Sequence, residues 1–153
     1  MEPLADWEGI RVLLAKPKHL GVSTAWAYQA FRSRQESLGS EPALPTLPQV
    51  LAALSRQDLP ALARSLRNDL ERVVLPEYAI VGELRQSLLA AGALGALMSG
   101  SGPTVFGIMP SLELAAQARD SLRRQFEKVE FWVTQFAPTG ILLEPDPCSL
   151  SPS

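Results

Sequence analysis

Two apolar runs, Leu97-Met98 and Thr104-Val105-Phe106-Gly107, are joined by Ser99-Gly100-Ser101-Gly102-Pro103. This pattern predicts a hairpin, and therefore an antiparallel strand pair, with a tip of nearly bare backbone. Gly100 and Gly102 can take positive φ without a Cβ penalty, so successive N–H groups can turn into one concavity, to which Ser99 and Ser101 add hydroxyls. Such a concavity suits phosphate oxygens. Pro103 has no N–H to give a ladder and is expected at the first position of the outgoing strand. A Gly/Ser tip is also an ordinary way to make a turn, and the stretch holds neither Gly-x-Gly-x-x-Gly nor Gly-x-x-x-x-Gly-Lys-Ser/Thr. The turn by itself leaves both readings open.

A chain of 153 residues with 46% apolar content can bury one good core, so a single domain is expected. The net charge of -2 and the isoelectric point near 5.4 leave no electrostatic footprint for nucleic acid. Cys148 is the single cysteine, which excludes an internal disulfide framework and a cysteine-based metal site. His19 is the single histidine and reads as a loop residue after a strand, so no metal centre and no Ser-His-Asp triad is expected within the chain. No apolar run is long enough to span a bilayer, and the start Met1-Glu2-Pro3-Leu4-Ala5-Asp6-Trp7 is acidic where a secretory leader would be basic. Neither a membrane nor a secretory route is expected.

Ile10-Arg11-Val12-Leu13-Leu14-Ala15 reads as a buried strand that stops at Lys16-Pro17. After a loop, Ser23 and Thr24 can cap a helix containing Trp26, Tyr28 and Phe31, with Thr24 and Tyr28 one turn apart on one face. Residues 33 to 48 change to charged and Pro-rich composition, predicting an extended surface loop. Thr46 and Asp58 are caps for two short helices, Leu47 to Ser55 and Leu59 to Leu66. Asn68-Asp69-Leu70-Glu71-Arg72 offers two carboxylates, but an acid alternating with apolar residues is read as a solvated face. Pro76 is expected to open a longer helix through Ala91, with Ile80, Leu84 and Leu88 inward, ended by Gly92.

Ala93 to Met98 and Thr104 to Met109 flank the turn as strands. Ser111 caps a helix with Glu113 in its first turn, Ala115, Ala118, Leu122 and Phe126 at core spacing, and Arg123, Arg124 and Lys128 near its end. Val129 to Phe136 reads as a strand, Ile141 to Leu143 as a short edge strand, and the Pro/Ser-rich residues 145–153 as a disordered tail. The order strand, helices, strand, strand, helix, strand predicts an α+β domain over residues 1–144. It would be a mainly antiparallel sheet of about four strands with helices on one face, in a ferredoxin-like split β-α-β arrangement.

Three separated motifs agree with one family. Ala15-Lys16-Pro17 with Val22-Ser23-Thr24-Ala25-Trp26-Ala27-Tyr28, Asn68-Asp69-Leu70-Glu71 with Val74-Leu75-Pro76, and Met98-Ser99-Gly100-Ser101-Gly102-Pro103-Thr104 together resemble the C-terminal domain of the GHMP kinases. Phe131-Trp132-Val133-Thr134 and Thr139-Gly140-Ile141 extend the likeness, which runs roughly from Ile10 to Leu143. Within that family the chain is most similar to the branch that phosphorylates CDP-methylerythritol in the non-mevalonate isoprenoid (terpenoid) pathway. The resemblance implies transfer of the γ-phosphoryl group of ATP to the substrate's 2-hydroxyl with Mg²⁺ assisting, in the bacterial cytoplasm or the plastid stroma. It also implies that Ser99, Gly100, Ser101 and Gly102 lie beside the nucleotide phosphates, that Thr24 lies near the substrate, and that Tyr28 helps to sandwich the cytosine.

The family's N-terminal domain, with its Gly/Ser phosphate loop and its catalytic Lys and Asp, has no counterpart in this sequence. No catalytic residue is therefore expected in the chain, which reads as a domain excised from a kinase, inactive alone and holding neither ATP nor Mg²⁺ tightly. A bare surface where the missing domain docks predicts self-association. Two other readings stay open: the C-terminal domain of a different GHMP kinase, and a freestanding non-catalytic α+β module that binds a small ligand or partner.

Overall fold

The computed structural model describes residues 9–35, 37 and 46–137. The short strand expected at 141–143, the tail at 145–153 and most of the loop between 33 and 48 lie outside the described residues. The chain runs β1 (Arg11–Pro17), α1 (Thr24–Arg34), α2 (Leu47–Ser55), α3 (Leu59–Arg64), α4 (Glu71–Glu77), α5 (Ala79–Ala90), β2 (Gly95–Met98), β3 (Val105–Met109), α6 (Leu112–Gln125) and β4 (Val129–Gln135). No helix among the described residues is long and apolar enough to cross a membrane.

The four strands form one antiparallel sheet in the order β2-β3-β1-β4, so β1 sits between the two strands that leave and enter α6. That is the split β-α-β order read from the sequence. Alternation along β1 divides its side chains between two faces. Leu13 and Ala15 join Val105, Met109 and Phe131 in the main core, beneath α1, α4, α5 and α6. Val12 and Leu14 face the other way, into a smaller cluster with Ile108, Phe106 and the α2–α3 pair through Ala53, Leu62 and Ala63. Four helices thus share one face as expected, and the two short ones add a partial layer on the other.

The caps fall where the residue types place them. Ser23 Oγ accepts from the Trp26 amide at 3.2 Å, Asp58 Oδ1 from Ala61 at 2.9 Å and Ser111 Oγ from Leu114 at 3.2 Å. At Thr46 the amide donates to Gln49 Oε1 at 2.7 Å, the reciprocal half of a capping box. Each cap of this kind contributes about 1 kcal/mol to its helix.

One helix boundary differs from expectation. Pro76 does not open the long helix; it lies inside α4, and Tyr78 at φ -120° and ψ 75° separates α4 from α5. The break is fixed by packing rather than by the proline alone, because the Tyr78 ring meets Trp26 of α1 edge-on, with centroids 5.5 Å apart. The inward stripe of α5 is accordingly Val81, Leu84 and Leu88, all fully buried, with Ile80 at its margin.

Candidate functional site

The hairpin predicted around the glycines is present: Met98 pairs with Val105 and Leu97 with Phe106. Between them, Gly102 N–H donates to Ser99 C=O at 2.9 Å and Ser99 N–H to Thr104 C=O at 2.8 Å. Gly100 and Gly102 both adopt positive φ, 56° and 81°. Pro103 lies within the turn and not at the first position of the outgoing strand, since β3 begins two residues later at Val105. The cradle is therefore narrower than the four-amide nest that the sequence suggested. The Ser99 and Gly102 amides are used inside the turn, while those of Gly100 and Ser101 have no partner among the described residues.

The two predicted site residues outside the turn, Thr24 and Tyr28, both come near it. Thr24, at the start of α1, places Oγ1 2.8 Å from Ser101 Oγ. Tyr28, one helical turn further on, is 51% exposed and lines a cleft of about 530 Å³ whose other walls include Phe31, Asn68, Met98, Ser99 and Gly100. An exposed aromatic ring facing a polar loop can stack on a flat ligand while the loop holds its charged end. A larger cavity of about 630 Å³, lined by Pro17, His19, Ile80 and Phe126, contains none of the predicted site residues. There His19 takes the positive φ of a tight loop, 55°, in keeping with its reading as a loop residue.

The sequence reading missed what holds the turn. Asn68 and Glu71 are not on a solvated face. Asn68 Nδ2 donates to Met98 C=O at 2.8 Å and to Gly100 C=O at 2.7 Å, while its Oδ1 accepts from the Leu70 amide at 3.0 Å. Glu71 Oε1 accepts from Met98 N–H at 2.7 Å and lies 3.6 Å from Arg85 Nε, which in turn donates to Ala96 C=O at 3.1 Å. Asp69 is exposed and pairs with Arg67. A polar residue whose partner is a backbone group thirty positions away leaves no periodic trace in the sequence. The available signal was that Asn68 to Glu71 was one of the three agreeing motifs.

Among the described residues no three His, Cys, Asp or Glu side chains cluster in a way that could hold a metal ion. The two carboxylates nearest the turn are engaged by Arg67 and by the Met98 amide. This donor set does not fit a protein-bound Mg²⁺ at the turn.

Comparison with known proteins accords with this geometry. The family described as "GHMP kinases C terminal" matches residues 50–128, more than half of the chain. A 4-diphosphocytidyl-2-C-methyl-D-erythritol kinase of Synechococcus sp. (strain JA-2-3B'a(2-13)) is 88% identical over 157 aligned positions, covering 100% of this chain and 50% of the relative. That of Synechococcus sp. (strain JA-3-3Ab) is 78% identical, covering 98% of this chain and 49% of the relative. The chain spans about half the length of the curated relatives it matches. Among solved structures, a 4-(cytidine 5'-diphospho)-2C-methyl-D-erythritol kinase superposes with a TM-score of 0.65 at 29% identity, over 88% of this chain and 45% of that one. A homoserine kinase from Cytophaga hutchinsonii, at 22% identity and a TM-score of 0.55 over 84% of this chain and 41% of that one, shares the fold. The motifs, the strand order and the matched segment converge on one assignment: this chain belongs to the GHMP kinase C-terminal family.

Proposed function

We propose that the chain is the C-terminal half of an ATP-dependent kinase that phosphorylates the 2-hydroxyl of CDP-methylerythritol. The observation that carries this reading is that Thr24 meets Ser101 of the turn, 77 residues away in the chain, while Tyr28, one helical turn further on, lines a cleft with Ser99 and Gly100. The 88% identical relative bears the name of that kinase. In this reading the Tyr28 ring stacks on the cytosine, Thr24 and Ser101 close the cleft toward the reacting end, and the unpaired Gly100 and Ser101 amides donate to phosphate oxygens.

Phosphoryl transfer rests on positioning the γ-phosphate and neutralising its charge. Two amides and two serine hydroxyls orient a phosphate but supply neither a cation nor a base. The proposal therefore assigns the catalytic lysine and aspartate to the other half of the protein, and leaves Mg²⁺ to enter with ATP. Bound there, the metal supplies charge neutralisation on the transferring group. The place of action is the bacterial cytoplasm or the plastid stroma.

The test joins this chain to the N-terminal half of the 88% identical Synechococcus relative and supplies ATP, Mg²⁺ and CDP-methylerythritol. Phosphorylated product is expected from the joined protein and none from the chain alone. A folded joined protein without product, or turnover by the chain alone, would refute the proposal.

A further inference from the structure

We propose that Asn68 is a positioning residue: by holding the Gly100 carbonyl it sets the direction of the Ser101 amide, and through it the protein's affinity for a nucleotide's phosphate. The nucleotide rests on the kinase reading above; the control of the turn does not. A trans peptide unit is planar, with its C=O and N–H pointing to opposite sides, so fixing one end aims the other. The Ser99–Gly100 unit is fixed from within the turn, because Ser99 C=O accepts from Gly102 N–H at 2.9 Å. Gly100 N–H is thereby turned outward. The Gly100–Ser101 unit has no such internal tie, and its carbonyl is held instead by Asn68 Nδ2 at 2.7 Å. Ser101 N–H is thereby turned away from Asn68.

Without that tie the unit lies next to a glycine that tolerates many conformations and has nothing within 4 Å of where a Cβ would stand, so its plane can rotate freely. Asn68 itself cannot swing. Its second Nδ2 bond is to Met98 C=O at 2.8 Å, and its Oδ1 accepts from Leu70 at 3.0 Å, so both donors and the acceptor oxygen hold the amide in one orientation. The Ser101 side chain is held by Thr24 Oγ1 at 2.8 Å. Asn68 and Thr24 between them fix both the amide and the hydroxyl that Ser101 can offer to an anion.

Asn68→Asp keeps the acceptor for Leu70 and puts an oxygen in place of the donor, opposite two carbonyls. Two readouts test the proposal. In the 153-residue chain, NMR order parameters of the Gly100 and Ser101 amides should fall from rigid values, about 0.85, to below about 0.6, while those of β1 and β3 are unchanged. In the joined kinase, KM for ATP should rise about ten- to hundredfold.

Arg85→Met, which removes the bond to Ala96 C=O, should lower Tm and leave the ATP KM where it was. Unchanged order parameters at Gly100 and Ser101, or an unchanged ATP KM in a folded Asn68→Asp protein, would overturn the proposal. If the unmutated joined protein is inactive, only the kinase reading falls, and the order parameters still decide. Should Asn68→Asp not fold, Asn68→Ala deletes the same donors without adding charge and carries the same comparison.

Discussion

The hydroxyls of Thr24 and Ser101 lie 2.8 Å apart, although 77 residues separate them in the chain. One opens α1 and the other sits at the tip of the β2–β3 hairpin, so the contact ties the helix start to the turn. It is solvent-exposed, and its net contribution to stability should be modest, about 0.5–1 kcal/mol. A double-mutant cycle of Thr24→Val and Ser101→Ala, read by urea unfolding, should return a coupling of that size. A coupling indistinguishable from zero would show that the two hydroxyls are not joined in solution.

Tyr28 separates binding from folding. Its ring is half exposed, so Tyr28→Ala should leave the unfolding midpoint nearly unchanged. Calorimetric titration with CDP should instead show affinity falling by roughly 1–3 kcal/mol, the scale of base stacking on an aromatic ring. Tyr28→Phe keeps the ring face and should bind as the unmutated chain does. Equal CDP affinity in the alanine variant would remove the stacking role.

The two turn glycines should respond unequally to alanine. At Gly100 the space is open and only the positive φ is at issue, which costs about 1 kcal/mol. At Gly102 a Cβ would also stand 2.8 Å from Met98 Sδ, in a side chain that is only 1% exposed, so strain and repacking add. Gly102→Ala should cost about 2–3 kcal/mol. Denaturant melts of both variants, made side by side, check the order; a costlier Gly100→Ala would contradict the turn geometry.

Leu84 and Leu47 form a matched pair for the core. Leu84 on α5 is 0% exposed within the main cluster, and Leu47 on α2 is 69% exposed. Leu84→Ala should lose about 2–5 kcal/mol. Leu47→Ala should stay within about 0.5 kcal/mol. The same urea titration measures both.

Much of this was legible in the residues themselves. The buried apolar run of β1, the caps Ser23, Asp58 and Ser111, and the α6 stripe Ala115, Ala118 and Leu122 are local patterns, and each appears where it was read. The hairpin followed from its turn chemistry, and the strand order followed from the element order. The join at Tyr78 was not legible, because a contact with Trp26 on another helix decides it. Glu71 was misread and the part played by Asn68 missed for the same reason: what engages them is the backbone of β2, and composition near residue 70 says nothing about that. The resemblance pointed to Thr24, Tyr28 and the turn as a group, and the fold brings Thr24 against Ser101 and Tyr28 to a cleft with Ser99 and Gly100, but no local pattern indicated that half of the turn's amides are already taken.

β2 lies at the end of the sheet, and its outward peptide groups belong to Ala96 and Met98. A bare border of that kind invites a strand from another molecule to add on, which is how sheets from separate chains fuse into aggregates. Here the Ala96 carbonyl is taken by Arg85, the Met98 amide by Glu71 and the Met98 carbonyl by Asn68. The residues that steady the hairpin therefore also seal this margin, and a variant that loosens them should be prone to precipitate.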